Sequence, residues 1–276
     1  DAARPLWACC GSESGVIGGG AGLRGADPTR WRAAPRIPAV RGRVRVDERL
    51  RCEAMPWMLD HIVAVVDDLD AARADAERVF GRGPDWISGD WNSGDRVDDG
   101  GARSQGGLVT CEWRAPGGAL ELLRPEGGAP REACGPKSLV LGTADLESAR
   151  ARLAARGLDP SPIAAADGVD ARTGARRAWR RFRCPDAHLG GLKLFVLERE
   201  EPPAETARPD LEAVEIATGN PRALADLLGA QIGLERVGES EFRVGPTRVL
   251  IRRDPIGGQH RIAALHVGGQ RSVPGG

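Results

Sequence analysis

The sequence predicts an α+β fold: tandem β-α-β-β-β units forming a cupped mixed sheet, with a third partial unit behind them. Three observations carry this. The stretch Leu59–Asp70, LDHIVAVVDDLD, reads as a buried strand running into a helix. Ser138–Glu147 repeats the pattern, and eight positions separate His61 from Leu69 just as they separate Ser138 from Leu146. A third, fainter copy begins at Leu211.

In the first unit, Leu59–Val66 is apolar and β-branched, as a buried strand requires. Leu69–Phe80 places Leu69, Ala72, Ala76, Val79 and Phe80 on one helical face. Asp67 and Asp68 can cap its free N–H groups, and Gly81 suits its end. Residues 82–106 are rich in Gly and Asp and predict a long loop with a short strand. Gly107–Arg114 and Gly118–Arg124 read as two strands around a Pro-Gly-Gly turn.

The second unit follows the same order. Ser138–Thr143 is a strand, Leu146–Arg156 a helix closed by Gly157, and Pro160 and Pro162 break the chain. Strands are expected at Ala175–Cys184 and Leu192–Glu198. After a Pro- and Glu-rich linker, Arg199–Asp210, the third unit has a strand at Leu211–Ala217 and a helix at Pro221–Leu228, with proline suited to its first turn. Strands follow near Leu234–Val237, Glu241–Val244 and Thr247–Arg252, and a last one at Arg261–Val267. The domain reading is therefore a disordered extension over 1–54, paired units over 55–200, the partial unit over 211–267 and a flexible tail over 268–276. The first segment is rich in Gly, Pro, Ala and Arg with little periodicity. On this reading the natural protein begins at Met55 or Met58.

Composition narrows the function classes. The 276 residues carry 39 acidic and 39 basic side chains, so no global charge points to nucleic acid. No apolar run is long enough to cross a bilayer. Lys137 and Lys193 are the only lysines, and tyrosine is absent. The six cysteines show neither Cys-x-x-Cys nor zinc-finger spacing, so free thiols in a reducing cytoplasm are expected.

LDHIVAVVDDLDAA at 59–72, GGALELLRP at 117–125, GARRAWRRF at 174–182, GGLKLFVLE at 190–198 and LEAVEIATGNPRALADLLG at 211–229 resemble the vicinal oxygen chelate superfamily. That superfamily includes glyoxalase I, extradiol dioxygenases and bleomycin resistance proteins, and the resemblance is to its glyoxalase-like domain proteins. It implies two units paired edge to edge around a cup that holds a ligand or one divalent metal (Zn, Mn, Fe or Ni). Metal ligands come from the first and last strands of each unit, which matches His61 and Glu121 here. The second unit departs from the pattern: Ser138 stands where a third ligand belongs, and the strand at 193–198 is apolar where Glu121 would be matched, with Glu198 only at its end.

Two functions stand open. One is a metal-assisted enzyme acting on a small molecule with vicinal oxygens, by lyase, isomerase or dioxygenase chemistry. The other is a metal-independent module that sequesters a small molecule between Trp113, Trp179 and an arginine. Alternation places Arg177, Trp179, Arg181 and Arg183 on one strand face, and Arg181 or Arg183 is the expected anion contact. His61 has a competing reading as a core imidazole satisfied by backbone. Glu121 faces either the cup or solvent, and inward burial would demand a partner. The expected partner is a small-molecule ligand, with no nucleic acid and no membrane, in a monomer or homodimer.

Overall fold

The computed structural model describes residues 57–88, 108–125, 128–130, 133–185, 189–199, 210–255 and 259–268. The readings for 1–54, for most of the linker and for nearly all of the tail lie outside these residues.

The first module runs β1 (Met58–Val65), α1 (Leu69–Phe80), β2 (Trp86–Ser88), β3 (Leu108–Ala115) and β4 (Gly118–Pro125). The second runs β5 (Gly135–Gly142), α2 (Leu146–Ala155), β6 (Ala164–Val169), β7 (Arg176–Arg183) and β8 (Lys193–Arg199). Asp68 and Asp145 cap the two helices by accepting hydrogen bonds from the Ala71 and Ser148 amides. Gly81 ends α1 in the left-handed conformation, at φ 66°.

Both modules share one eight-stranded sheet, ordered β2-β3-β4-β1-β5-β8-β7-β6. The junction is the antiparallel pair β1–β5, and β1–β4 and β5–β8 are its two parallel flanks. The sheet curls until its outer edges meet. Ser88 bridges Asp170, the Ala171 amide donates to the Ile87 carbonyl at 2.7 Å, and Arg172 reaches the Pro84 and Asp85 carbonyls. The result is a nearly closed cup.

Strand alternation divides the residues between two faces. Ile62, Ala64, Cys111, Trp113, Leu120 and Leu122 point away from the cup, and the last five of them pack with Leu69, Ala76 and Phe80 of α1. Burying one such large side chain stabilises by about 1.5–3 kcal/mol.

The third unit runs β9 (Leu211–Thr218), α3 (Pro221–Asp226), β10 (Glu235–Arg236), β11 (Glu241–Val244) and β12 (Thr247–Arg253), followed by β13 (Arg261–Val267). Its sheet is ordered β10-β11-β12-β9-β13, so β13 pairs with β9 as β5 pairs with β1. The helix leaves α geometry sooner than expected. A π-helical turn, Leu227–Ile232, follows it and ends at Gly233 with φ 83°.

The unit shares a core with the second module: Leu146, Leu153 and Phe182 belong to the same buried cluster as Leu224, Leu228 and Phe242. The Trp57 indole N–H donates to the Ile232 carbonyl at 3.0 Å, and the Thr247 hydroxyl lies 2.6 Å from the Gly117 carbonyl and 2.9 Å from that of Leu211. One strand, β6, was not anticipated. Its sequence AAADGV carries a single β-branched residue, and its pairing with β7 holds it in place.

Candidate functional site

The cup encloses a cavity of about 550 Å³ between the two modules. From the first module β1 contributes His61, Val63 and Val65, β3 contributes Thr110 and Glu112, and β4 contributes Glu121 and Leu123. From the second come Lys137, Ser138, Val140, Arg177, Trp179, Arg181, Lys193, Phe195 and Arg199.

A β-bulge shapes the floor. In the β1–β5 pair Leu59 faces Leu141 and His61 faces Val140, so Asp60 is an extra residue. The kink lets consecutive side chains meet: Asp60 Oδ1 lies 2.6 Å from His61 Nδ1. Arg199, arriving from the end of β8, grips the same carboxylate through two hydrogen bonds of 2.9 and 2.6 Å. On its other side, His61 Nε2 lies 3.3 Å from Glu121 Oε2. Four side chains thus form one chain, Arg199–Asp60–His61–Glu121.

The electrostatics follow from that order. Burial alone would push the Asp60 carboxyl upward, but hydrogen bonds from Arg199 and His61 outweigh it and hold the group well below the carboxylate range. Burial pulls the His61 imidazole downward, and its hydrogen bonds to Asp60 and Glu121 reverse this, raising it from 6.5 to about 9. The two carboxylates thus favour the protonated imidazole at neutral pH.

A second cluster lies along the wall. Glu112 accepts from Arg114 at 2.9 Å and from Arg177 at 3.2 Å. Burial raises this carboxyl, and the charges of Arg199, Arg114 and Arg177 bring it below its usual value. The Arg177 guanidinium sits 3.6 Å from the Trp86 ring centroid, a cation–π contact. Gly168 lies beneath the indoles: a Cβ there would stand 3.3 Å from Trp179 and 3.7 Å from Trp86.

The two modules are related strand by strand, so the registers give matching positions. His61 lies opposite Ala119 across β1–β4, and Ser138 lies opposite Lys193 across β5–β8. Val63 faces Glu121, and Val140 faces Phe195. The second module has its own bulge, at Lys137, because Val63 faces Ser138 while Ala64 faces Pro136. The first module therefore presents Asp60, His61, Ala119 and Glu121 where the second presents Lys137, Ser138, Lys193 and Phe195.

No family model matches the sequence, and no curated protein matches it. Solved structures do. A hypothetical protein from Staphylococcus aureus is similar at 14% identity, with 72% of this chain and 87% of that one covered and a TM-score of 0.53. A mutant 4-hydroxymandelate synthase from Streptomyces coelicolor is similar at 16% identity over 72% of this chain and 63% of that one, TM-score 0.48. Methylmalonyl-CoA epimerase from Mycobacterium tuberculosis is similar at 18% identity over 52% and 89%, TM-score 0.35. The structure shows the paired-unit architecture expected from the sequence, and the first of these likenesses agrees with it. At these identities the likeness is one of fold.

The cup is where the sequence placed His61 and Glu121, and the two side chains meet there. Trp179 and Arg181 also face the cavity, and the Arg181 guanidinium lies 5.5 Å from the Phe195 ring centroid. Trp113 does not. It is fully buried on the opposite face, stacked on Phe80 at 6.1 Å, with its indole N–H donating to the Arg82 carbonyl. Alternation with Glu112 is the cause: β3 pairs regularly with β4, so one residue of each consecutive pair turns outward. Arg183 is not among the residues lining the cavity; it sits at the end of β7, where its amide donates to the Ser161 hydroxyl. Glu198 lies on the outer face, paired with Arg180.

Sequence reasoning missed Asp60, Glu112 and Arg199. Glu112 was accessible from alternation within CEWRA. Asp60 and Arg199 were not, since one needs a bulge and the other a partner 139 residues away.

Among the described residues the donor set does not suit a divalent metal. His61 and Glu121 are two ligands, and catalytic sites keep three. The matching positions of the second module hold a hydroxyl and a phenyl ring, with Lys193 beside them. Both ring nitrogens of His61 are already engaged by carboxylates, which favours the protonated form that cannot ligate. Among the described residues no group of three or more His, Cys, Asp or Glu side chains converges to hold a metal. No helix of the described residues is long and apolar enough to cross a membrane.

Proposed function

We propose that this protein binds a small organic molecule in its cup without a metal ion. The observation that carries the reading is the second module's half of the site, Ser138, Lys193 and Phe195, which offers an ammonium and a ring where a dication needs donors. The cavity is of the size that takes a small ligand. Its walls combine apolar surface from Val63, Val140, Phe195 and Leu197 with a few converging charges. The test is metal analysis of protein purified without chelators, beside His61→Ala. Substoichiometric metal in both, with an intact fold, supports the reading.

A second reading adds proton transfer. Glu121 faces the cavity and touches an imidazolium that Asp60 and Arg199 orient, an arrangement that can pass a proton to or from a bound carbon acid. Solvent deuterium incorporation into an α-keto acid, followed by proton NMR and abolished in Glu121→Gln, supports it. Absence of exchange across a panel of such acids leaves binding alone.

A further inference from the structure

We propose that the floor contributed by the second module is a carboxylate site, and that the ligand of the cup is a small organic acid with a flat apolar body. This rests on the metal-free reading and names the ligand class of the same cavity.

The first observation concerns lysine. Arginine supplies all but two of the chain's 39 Lys and Arg residues, and the two lysines, Lys137 and Lys193, both line this cavity. They come from adjacent strands. Lys193 lies opposite Ser138 in the β5–β8 register, and the bulge at Lys137 brings it to the same side as its neighbour Ser138. A compact ammonium with three donors on a flexible stem suits a carboxylate oxygen held at the end of a ligand.

The second observation is the inversion of charge between matching positions. Asp60 in the first module corresponds to Lys137 in the second, and Ala119 corresponds to Lys193. A site for a dication would place anionic groups on both halves. Among the described residues one half is acidic and the other basic, and the basic half suits an anionic group of a ligand better than a dication.

The third observation is the charge balance of the lining. Among the described lining residues, Lys137, Arg177, Arg181, Lys193 and Arg199 face two carboxylates, Glu112 and Glu121, both from the first module. Asp60 beneath the floor is balanced by His61. An excess of cations in a lining favours an anionic ligand. Beside the two lysines stand Val140, Phe195 and Trp179, which provide apolar and aromatic surface for the body of the acid.

The experiment is a titration by intrinsic tryptophan fluorescence, checked by calorimetry, with phenylacetate, phenylacetamide and phenethylammonium as probes. The three share a body and differ in the charge of the head. Wild type is expected to bind phenylacetate at least about tenfold more tightly than the amide, and the ammonium most weakly. In Lys137→Met/Lys193→Met the carboxylate preference falls to parity while amide affinity stays. In Lys137→Arg/Lys193→Arg, which keeps the charge and controls for folding, the preference persists.

Equal affinity for acid and amide in wild type, tighter binding of the ammonium, a preference that survives the methionine pair, or no saturation by any probe up to about 10 mM would each overturn the inference. Repeating the titration after dialysis against a chelator separates this failure from that of the metal-free reading. Carboxylate binding that is lost on chelation and restored by Mn²⁺ would place the anion on a metal and sink the earlier reading instead.

Discussion

Asp60→Asn attacks the group on which the floor depends. The wild-type carboxylate is 5% exposed and is held by the Arg199 guanidinium at 2.6 and 2.9 Å and by His61 at 2.6 Å. Asparagine fills the same space but has no charge, so it leaves a largely buried guanidinium and imidazolium, each 12% exposed, without their counterion. Breaking a buried pair from one side costs about 3–5 kcal/mol. For a structured region of about 200 residues, each kcal/mol shifts the melting temperature by roughly 2–4 °C, so a fall of about 6–20 °C is expected. The same change should bring the His61 titration down from about 9 toward its ordinary 6.5. Urea denaturation gives the first quantity. Imidazole NMR gives the second, in a chain with four histidines. Asp60→Asn/Arg199→Gln should recover part of the loss, because the two side chains act as a unit. A cost below about 1 kcal/mol, or a His61 titration unchanged by the substitution, would refute the argument that this carboxylate sets the charge of the floor.

Other outcomes follow from the same contacts. The raised His61 pKa adds stability that is fully present below pH 6.5 and is lost as pH rises through about 9. Denaturation at a series of pH values should show a loss of about 3 kcal/mol over that window, absent in His61→Gln. Trp113→Ala should cost about 3–5 kcal/mol as a core truncation, whereas Trp179→Ala should cost less than about 1.5 kcal/mol and weaken phenylacetate binding severalfold. Thermal melts and the fluorescence titration separate the two. Gly117→Ala should destabilise by about 2–3 kcal/mol, because φ is +90° and the new Cβ would stand 2.5 Å from Thr247 Oγ1 and 2.8 Å from the Leu211 carbonyl. Gly81→Ala, at φ +66° with nothing within 4 Å, should cost only about 1 kcal/mol.

The repeat of strand and helix was legible because its signals are local. The apolar, β-branched run Leu59–Val66, the acidic cap at Asp68, and the terminal glycines Gly81 and Gly157 all act over a few residues. Most strands of the first and third units lie within a residue or two of their expected bounds. The cup was less legible where its geometry depends on irregular pairing. Neither bulge leaves a mark in the sequence, yet the bulges bring Asp60 against His61 and Lys137 beside Ser138. Trp113 was expected as a wall of the cup in the binding alternative, and its parity with Glu112 sends it to the helix side instead. Arg199 looked like the start of a linker, and it is the residue that neutralises Asp60. The arginine cluster of β7 resolved by face: Arg177 and Arg181 meet the cavity, and Arg180 pairs outward with Glu147 and Glu198.

The metal-free cup is tested most directly by the metal content of the protein. Protein prepared without chelators, dialysed against Zn²⁺, Mn²⁺, Fe²⁺ or Ni²⁺ and freed of excess ion, should retain far less than one equivalent by elemental analysis, and His61→Ala should not differ from wild type. One tightly held equivalent, lost in His61→Ala and in Glu121→Gln, would contradict the account.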